Sequence, residues 1–409
     1  MSEKKLDLQE LDQILEKNTS ELRNPLQGVS FSVFNNKGDT LYSKAYGSRT
    51  LEPQSEPLTT DTPIWTASLT KLVTTVACMI AVDQGLIGLD DNVREIVPEL
   101  KDIKLLAGFE ESDSEPRKPI LKDVAAPISL RQLLNHTSGF TYDVFDAGLM
   151  EWSRGLGRTA HSHCGSYEGY KHPLIHEPGQ GWAYGPGMDW AGRAVEILSG
   201  LTLEDFMQTH IFSPLSMHST TFRPEEIPGY LSHRMSHATR DPTTGALVPG
   251  GGRHLLALPA QDCIGGMGLY STPSELLKVL KEVLAGGGNI VKRESVAEML
   301  KTQLNEETNA AFGKVIDGRA KHHLRQTWPE GYDGTFGLSA SINLDDFPGR
   351  RSKDSMNWAG SSGLHAWIDP SSRIGGLLTT QLSPPGDPMF TRCLIDLETA
   401  LYSQLHATN

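Results

Sequence analysis

Strand-forming sequence stands at both ends of this 409-residue chain, with mostly helical sequence between. Gly28–Phe34 and Thr40–Gly47 read as two strands joined by Asn35-Asn-Lys-Gly-Asp39, a strong hairpin signal. After Gly331 the extended pattern returns: Thr335–Asn343, Ser355–Ala359, Gly363–Asp369 and Arg373–Gln381 alternate or run apolar between turn residues. Two strands at the front and three or four at the back, with mostly helix between, imply one interrupted sheet in which the N- and C-terminal pieces pair. The helical middle is then an insertion into it. This predicts a two-part α/β (α+β) architecture: a discontinuous sheet domain of residues 1–66 and 330–409, and a mostly helical domain of residues 67–329.

Within that frame, residues 5–18 (Leu6, Leu8, Leu11, Ile14, Leu15) read as an amphipathic helix, and Met389–Leu405 as a last one. Ser129 caps a helix over Leu130–Asn135. Helices are predicted at Met188–Leu198 and Leu203–Ile211, stopped by Gly200 and Pro214, and at Pro273–Leu284 and Glu294–Lys301. Residues 102–126 mix charges with prolines and read as a surface excursion. Residues 140–178 are rich in aromatics, glycines and histidines without periodicity, which marks a lid or pocket wall. Arg223–Pro259 is polar and loop-like. No internal repeat or low-complexity segment is evident.

The chain carries a net charge of −13, which argues against nucleic acid or an anionic membrane surface as partner. The N-terminal sequence has no apolar h-region, and no run reaches the length of a membrane span. Cys78, Cys164, Cys263 and Cys393 lie far apart and, with no export signal, read as free thiols. The expected setting is cytoplasmic.

Chemistry points first to Trp65-Thr-Ala-Ser68-Leu-Thr-Lys71. From Leu69 to Asp83 there is no Gly or Pro, and Leu72, Val76, Met79 and Ile80 fall at helical spacing. Ser68 and Lys71, three apart, share a face of the first turn, so hydroxyl and amine can meet. A serine needs a base, and a lysine can serve only where burial or a neighbouring cation lowers its pKa from about 10.4. Ser2 and Lys5 repeat the spacing by accident, in a polar terminus. Tyr184 sits among small residues in Trp182-Ala-Tyr-Gly-Pro186, just before a helix, where a phenol paired with an ammonium is a plausible base. Asn357-Trp-Ala-Gly360-Ser-Ser-Gly363 places small residues at a strand edge, where a backbone N–H can approach a ligand closely and, with that of Ser68, form an oxyanion hole.

Taken in that order, the three motifs resemble the serine β-lactamase and penicillin-binding-protein superfamily. The nearer likeness is to its class C β-lactamase-like esterases and transesterases, among them the fungal statin-pathway acyltransferases. Asn135-His-Thr-Ser-Gly139, Asp189-Trp-Ala-Gly192, Cys263-Ile-Gly-Gly266 and Trp367-Ile-Asp-Pro370 add to it. The resemblance implies a β-lactamase/transpeptidase-like fold, with an antiparallel sheet flanked by N- and C-terminal helices. It implies Ser68 as the acylated residue, Lys71 as its base, Tyr184 as partner base or acid, and the strand around Gly360 and Ser361 as second oxyanion donor. The function it implies is transfer of an acyl group from an ester or thioester onto a hydroxyl of a secondary metabolite. Hydrolysis of a natural-product ester, and a silent binding protein that kept the fold, are the alternatives. An acyl carrier protein as the vehicle of the donor is left open.

Three positions depart from the pattern. Pro186 stands where β-lactamases carry Asn, and Trp358 where they carry Lys or His, so recognition of a β-lactam carboxylate is not expected. Trp65 stands three residues before the serine, where the resembling lovastatin-pathway acyltransferase carries an arginine, which suggests a different acceptor. Trp65, Tyr142, Phe145, Trp182 and Trp358, with Gly360, are the candidate substrate-binding residues. No cofactor is implied. His161, His163, Cys164, His172 and His176 fit no metal-ligand spacing, and His136 reads as a structural turn residue.

Overall fold

The computed structural model describes residues 8–20, 25–112, 116–250, 255–318, 325 and 327–406. The first residues of the predicted N-terminal helix, and the Ser2/Lys5 pair, lie outside the described residues. The helix itself, α1, runs Leu8–Ser20 and buries Leu11 and Leu15.

One seven-stranded antiparallel sheet organises the molecule. Its strands are β1 (Gly28–Asn35), β2 (Thr40–Gly47), β3 (Gly334–Phe336), β4 (Ser341–Asn343), β5 (Met356–Gly360), β6 (Leu364–Asp369) and β7 (Ile374–Thr379), in the spatial order β2-β1-β7-β6-β5-β4-β3. The front pair therefore joins the back set through β1 and β7, with Ser30 opposite Thr379 and Asn35 opposite Ile374. β1 is buried from Gly28 to Phe34, because both faces of the sheet are covered. On one face lie α1 and the final helix (Pro388–His406), packed with Phe31, Trp367, Leu394, Leu397 and Leu401. The other face carries the large core that includes Phe34, Leu72, Trp358 and Leu377. The indole of Trp367 lies flat across β7, where a Cβ on Gly376 would fall 2.0 Å from the ring, so only glycine fits there.

The helix that follows Ser68, α2 (Thr70–Asp83), is buried all round from Thr70 to Ala81. A helix with no solvent face belongs in the centre of a core. It packs against α3 (Gly187–Ser199). Ser129 and Gln132 form the reciprocal capping box that opens Leu130–Leu134.

Elsewhere the sequence expectation needs correcting. Residues 102–126 contain an antiparallel hairpin, Lys104–Phe109 with Pro119–Asp123. The aperiodic stretch 140–178 holds a nine-residue helix, Ala147–Gly155, capped by Asp146, and single 3-10 turns at Asp143–Phe145 and Tyr167–Tyr170. Thr335–Asn343 splits into the two strands β3 and β4. Arg223–Pro259 contributes Ala238–Arg240 and Leu247–Pro249 to a small sheet with Leu382–Ser383. A helix with no counterpart in the expectation, Glu306–Asp317, starts from an Asn305/Thr308 capping box.

Candidate active site

Ser68 is the middle residue of a 3-10 turn, Ala67–Leu69, that runs directly into α2. The first N–H groups of such a turn have no intrahelical partner, so the Ser68 amide is available to an incoming anion. The turn is entered through Ala67 with φ 45°, a left-handed conformation costly for a residue with a side chain. Its surroundings over-determine it. Thr66 donates its N–H (3.0 Å) and its hydroxyl (2.8 Å) to the Leu269 carbonyl, and Gly360 at the end of β5 closes on it from the sheet.

Lys71 lies one turn on from Ser68 and is wholly buried, with its amine set among three acceptors. Nζ is 2.8 Å from the Gly266 carbonyl, 3.0 Å from the Tyr142 hydroxyl and 3.4 Å from Ser68 Oγ. An ammonium has three hydrogens, and here each has a place to go. Tyr184 comes from the loop before α3 and donates from its hydroxyl to Ser68 Oγ at 2.8 Å. The Lys71 amine sits 4.7 Å from the centre of the Tyr184 ring. Hydroxyl and amine from one helical turn and phenol from a distant loop therefore meet. Ser68 and Tyr184 are partly exposed while Lys71 is sealed beneath them.

The loop that carries Tyr184 needs glycine on both sides of its approach. A Cβ on Gly185 would lie 2.5 Å from the Phe140 carbonyl, and one on Gly187 would lie 2.3 Å from that of Leu133. Trp182 stacks parallel to the Tyr184 ring at 6.4 Å, and Trp358 leans on it at 5.3 Å. Both indoles are buried, so they fix the phenol as well as line its surroundings.

β5 ends beside the turn that carries Ser68. A Cβ on Gly360 would stand 2.9 Å from the Thr66 carbonyl, and Ser361 follows in the turn to β6. Ser362 Oγ (3.2 Å) and Gln381 Nε2 (3.0 Å) both donate to the Trp65 carbonyl, stitching that turn to the segment leading into Ser68. Trp65 itself is 4% exposed, and its indole N–H donates to the Met267 carbonyl at 2.6 Å. It belongs to the frame around the serine. Phe145 lies at the other extreme, 58% exposed, with its ring edge-on to Tyr142 at 6.1 Å.

Tyr142 is more central than the sequence suggested. Its phenol touches the Lys71 amine, and its N–H donates to the Tyr184 carbonyl at 3.3 Å. Burial holds its hydroxyl well above the ordinary tyrosine pKa, with Asp189 and Tyr184 adding to the effect, so it serves as a neutral polar partner. Sequence reasoning missed the Gly266 carbonyl and Asp189 behind it. His136 packs edge-on to Trp182, Tyr184 and Phe336, and burial together with Lys71 keeps its pKa well below 6.5. His172 and His176 are engaged with backbone carbonyls, and no metal-sized group of His, Cys, Asp or Glu converges among the described residues. Cys78, Cys164, Cys263 and Cys393 are free thiols.

The family model described as beta-lactamase matches residues 15–400. The chain belongs to the beta-lactamase family. Two of its relatives in that family sit at the same distance and carry different activities. The chain is 32% identical to ML-236A carboxylate methylbutanoyltransferase of Penicillium citrinum, over 91% of this chain and 89% of that one. It is also 32% identical to lovastatin esterase of Penicillium rubens, over 88% and 90%. Among solved structures it is similar to the LovD6 mutant of simvastatin synthase from Aspergillus terreus, with a TM-score of 0.88, 29% identity, and coverage of 97% of this chain and 95% of that one. The chain is an enzyme of the acyltransferase and esterase branch of the family.

Proposed function

We propose that this protein is a serine acyltransferase that moves an acyl group from an ester or thioester, through an acyl-enzyme on Ser68, to a hydroxyl of a secondary metabolite. The observation that carries the reading is the placement of Ser68 Oγ 2.8 Å from the Tyr184 hydroxyl, with a buried Lys71 amine below both.

Tyr184 at 2.8 Å is nearer to Ser68 Oγ than Lys71 at 3.4 Å, and the Lys71 amine, 4.7 Å from the centre of the Tyr184 ring, favours negative charge on that phenol. With its own phenolic proton first given up to solvent, the Tyr184 oxygen takes the Ser68 proton as Oγ attacks the carbonyl. Charge on the carbonyl oxygen is met by the Ser68 N–H and, from the strand turn, that of Ser361. Collapse expels the donor's alkoxide or thiolate, which leaves with the proton held by Tyr184. The acceptor hydroxyl then gives its proton to the same oxygen and attacks the acyl-enzyme. Loss of Ser68 Oγ, reprotonated from Tyr184, releases the new ester.

Two features support transfer over hydrolysis. Tyr142, Trp182 and Trp358 surround the Tyr184 phenol with rings, a setting poor in water. Acyl transfer is also the activity named for the relatives in Penicillium citrinum, Aspergillus terreus and Penicillium decumbens. Hydrolysis is the second reading, on the strength of the equally similar lovastatin esterase. Among the described residues no helix is long and apolar enough to cross a membrane, and free cysteines suit a cytoplasmic setting.

Intact-mass spectrometry with a panel of acyl thioesters, free and on an acyl carrier protein, tests the proposal. The expected result is a single acyl mass on Ser68, discharged faster by an alcohol than by water, and absent in Ser68→Ala. That variant deletes one oxygen and should keep its stability within about 1 kcal/mol. An adduct that forms as well in Ser68→Ala would refute the mechanism.

A further inference from the structure

The residue behind the lysine is a buried acid. Asp189 is the third residue of α3, five after Tyr184, so one loop-and-helix unit carries both. Its side chain is fully buried, and Oδ1 accepts the Gly266 N–H at 2.8 Å. The carbonyl of that same Gly266 accepts the Lys71 amine at 2.8 Å. One turn further along α2, Thr74 donates its hydroxyl to the Gly265 carbonyl at 2.6 Å. Gly265 and Gly266 thus form a strap pinned by α2 on one side and by Asp189 on the other. The strap has no room for side chains. A Cβ on Gly266 would fall 2.5 Å from Asp189 Oδ2, and one on Gly265 would fall 2.9 Å from the Met188 carbonyl.

We propose that Asp189 is a positioning residue for acyl transfer: through Gly266 it aims the Lys71 amine at Ser68 and Tyr142, and it supplies the buried counter-charge to that amine. The inference rests on the reading of Ser68, Lys71 and Tyr184 given above.

The argument turns on what faces the carboxylate. Tyr142, Tyr167 and Tyr170 surround it, and burial with the charge of Asp189 holds all three phenols well above the ordinary tyrosine pKa, so they stay neutral. Lys71 is the cation that faces it across Gly266. Oδ2 has no donor in hydrogen-bonding geometry: the Tyr170 hydroxyl lies near enough to help hold the carboxyl down, but its hydrogen bond goes to the Ser162 carbonyl at 3.0 Å. Burial pushes the Asp189 carboxyl up to about 6, against the pull of Lys71 and of the Gly266 N–H. An acid with one oxygen unbonded is a poor way to hold a core together, since a buried polar group is costly unless it is fully paired. Its placement one residue from the catalytic amine is what the charge is for.

The test uses a fluorophosphonate, which reports the reactivity of Ser68 without a known substrate. Its labelling rate is followed by intact mass from pH 5 to 10 in the wild type, Asp189→Asn, Asp189→Ala and Ser68→Ala. Asparagine keeps the volume and the acceptor for Gly266 but removes the charge. With one negative charge fewer, the coupled site gives up protons more readily. The alkaline limb of the Asp189→Asn profile should therefore lie about one pH unit lower, with the maximal rate down about tenfold. Below about pH 6 the two acid limbs should converge, because the wild-type carboxyl is then itself protonated. Asp189→Ala, which also unpins Gly266, should be slower still. An Asp189→Asn profile that tracks the wild type at every pH would overturn the proposal and leave Ser68 as nucleophile untouched. Failure to label the wild type at Ser68 would overturn both.

Discussion

Gly360→Ala probes the contact between sheet and nucleophile most directly. The added methyl would lie 2.9 Å from the Thr66 carbonyl oxygen, 3.2 Å from Leu364 Cβ and 3.5 Å from Ala67 Cβ. The first of these is roughly half an ångström inside ordinary van der Waals contact. Thr66 cannot retreat, because its N–H and hydroxyl are both bound to Leu269 and it leads into the left-handed Ala67. β5 and the turn at Ser361 must move instead. Overpacking of this kind costs about 1–3 kcal/mol of stability. The same movement draws the Ser361 N–H away from the carbonyl oxygen under attack. Complete loss of an oxyanion donor lowers kcat by about 10²–10³, and a shift of this size should account for roughly a hundredfold. The assay is hydrolysis of a p-nitrophenyl ester, with kcat and KM separated and a thermal midpoint measured alongside. KM should stay within about twofold, since the change falls on the transition state. A folded Gly360→Ala protein with wild-type kcat would refute the assignment of the strand end to the reacting carbonyl.

Three further outcomes are expected. Tyr184→Phe removes the hydroxyl 2.8 Å from Ser68 and should lower the acylation rate by about 10²–10⁴ with little change in KM, read by the same assay. Glu398→Ala should cost about 3–5 kcal/mol in urea unfolding, because it strips the anion from two buried guanidinium groups: Arg350 at 2.6 Å and Arg351 at 3.3 Å from the carboxylate. Asp189→Asn should be more stable than the wild type, by an amount that depends on pH. The folded carboxyl at about 6 lies above its ordinary 3.8, so the ionised group subtracts stability as pH rises through that window. The advantage of the variant should grow from near zero at pH 4 to at most about 3 kcal/mol at pH 7. Urea titrations giving a pH-independent difference would contradict this.

Much of the fold could be read from local chemistry. The Asn35–Asp39 turn, the Ser129 capping box and the Gly- and Pro-punctuated helices are each specified by residues within a few positions of one another. Ser68 and Lys71 were legible because one helical turn brings them together, and Tyr184 because its neighbours are too small to serve as core. The remainder depended on long-range contacts. Tyr142 reads as one aromatic among many until its N–H is seen bound to the Tyr184 carbonyl and its phenol to Lys71. The Gly266 carbonyl is a backbone group, and backbone acceptors leave no signature in residue type. The 104–123 hairpin was hidden for a similar reason. Ile120 and Leu121 remain exposed on it, so it lacks the in-and-out alternation that burial of one face imposes. Trp65 shows the limit from the other side, because residue type alone does not tell that its ring is buried with the indole N–H on the Met267 carbonyl.

The pairing of β1 with β7 has a consequence for the protein during its synthesis. The serine helix emerges from the ribosome well before Gly360, which closes on Thr66 and Ala67, and before the strand Ile374–Thr379, which joins the two parts of the sheet. Contacts that span so much of the chain form slowly and only after the intervening segment exists. A nascent polypeptide therefore carries Ser68 and Lys71 as ordinary side chains. The geometry that sets Ser68 beside Gly360 exists only once the second half of the sheet has been made and has paired.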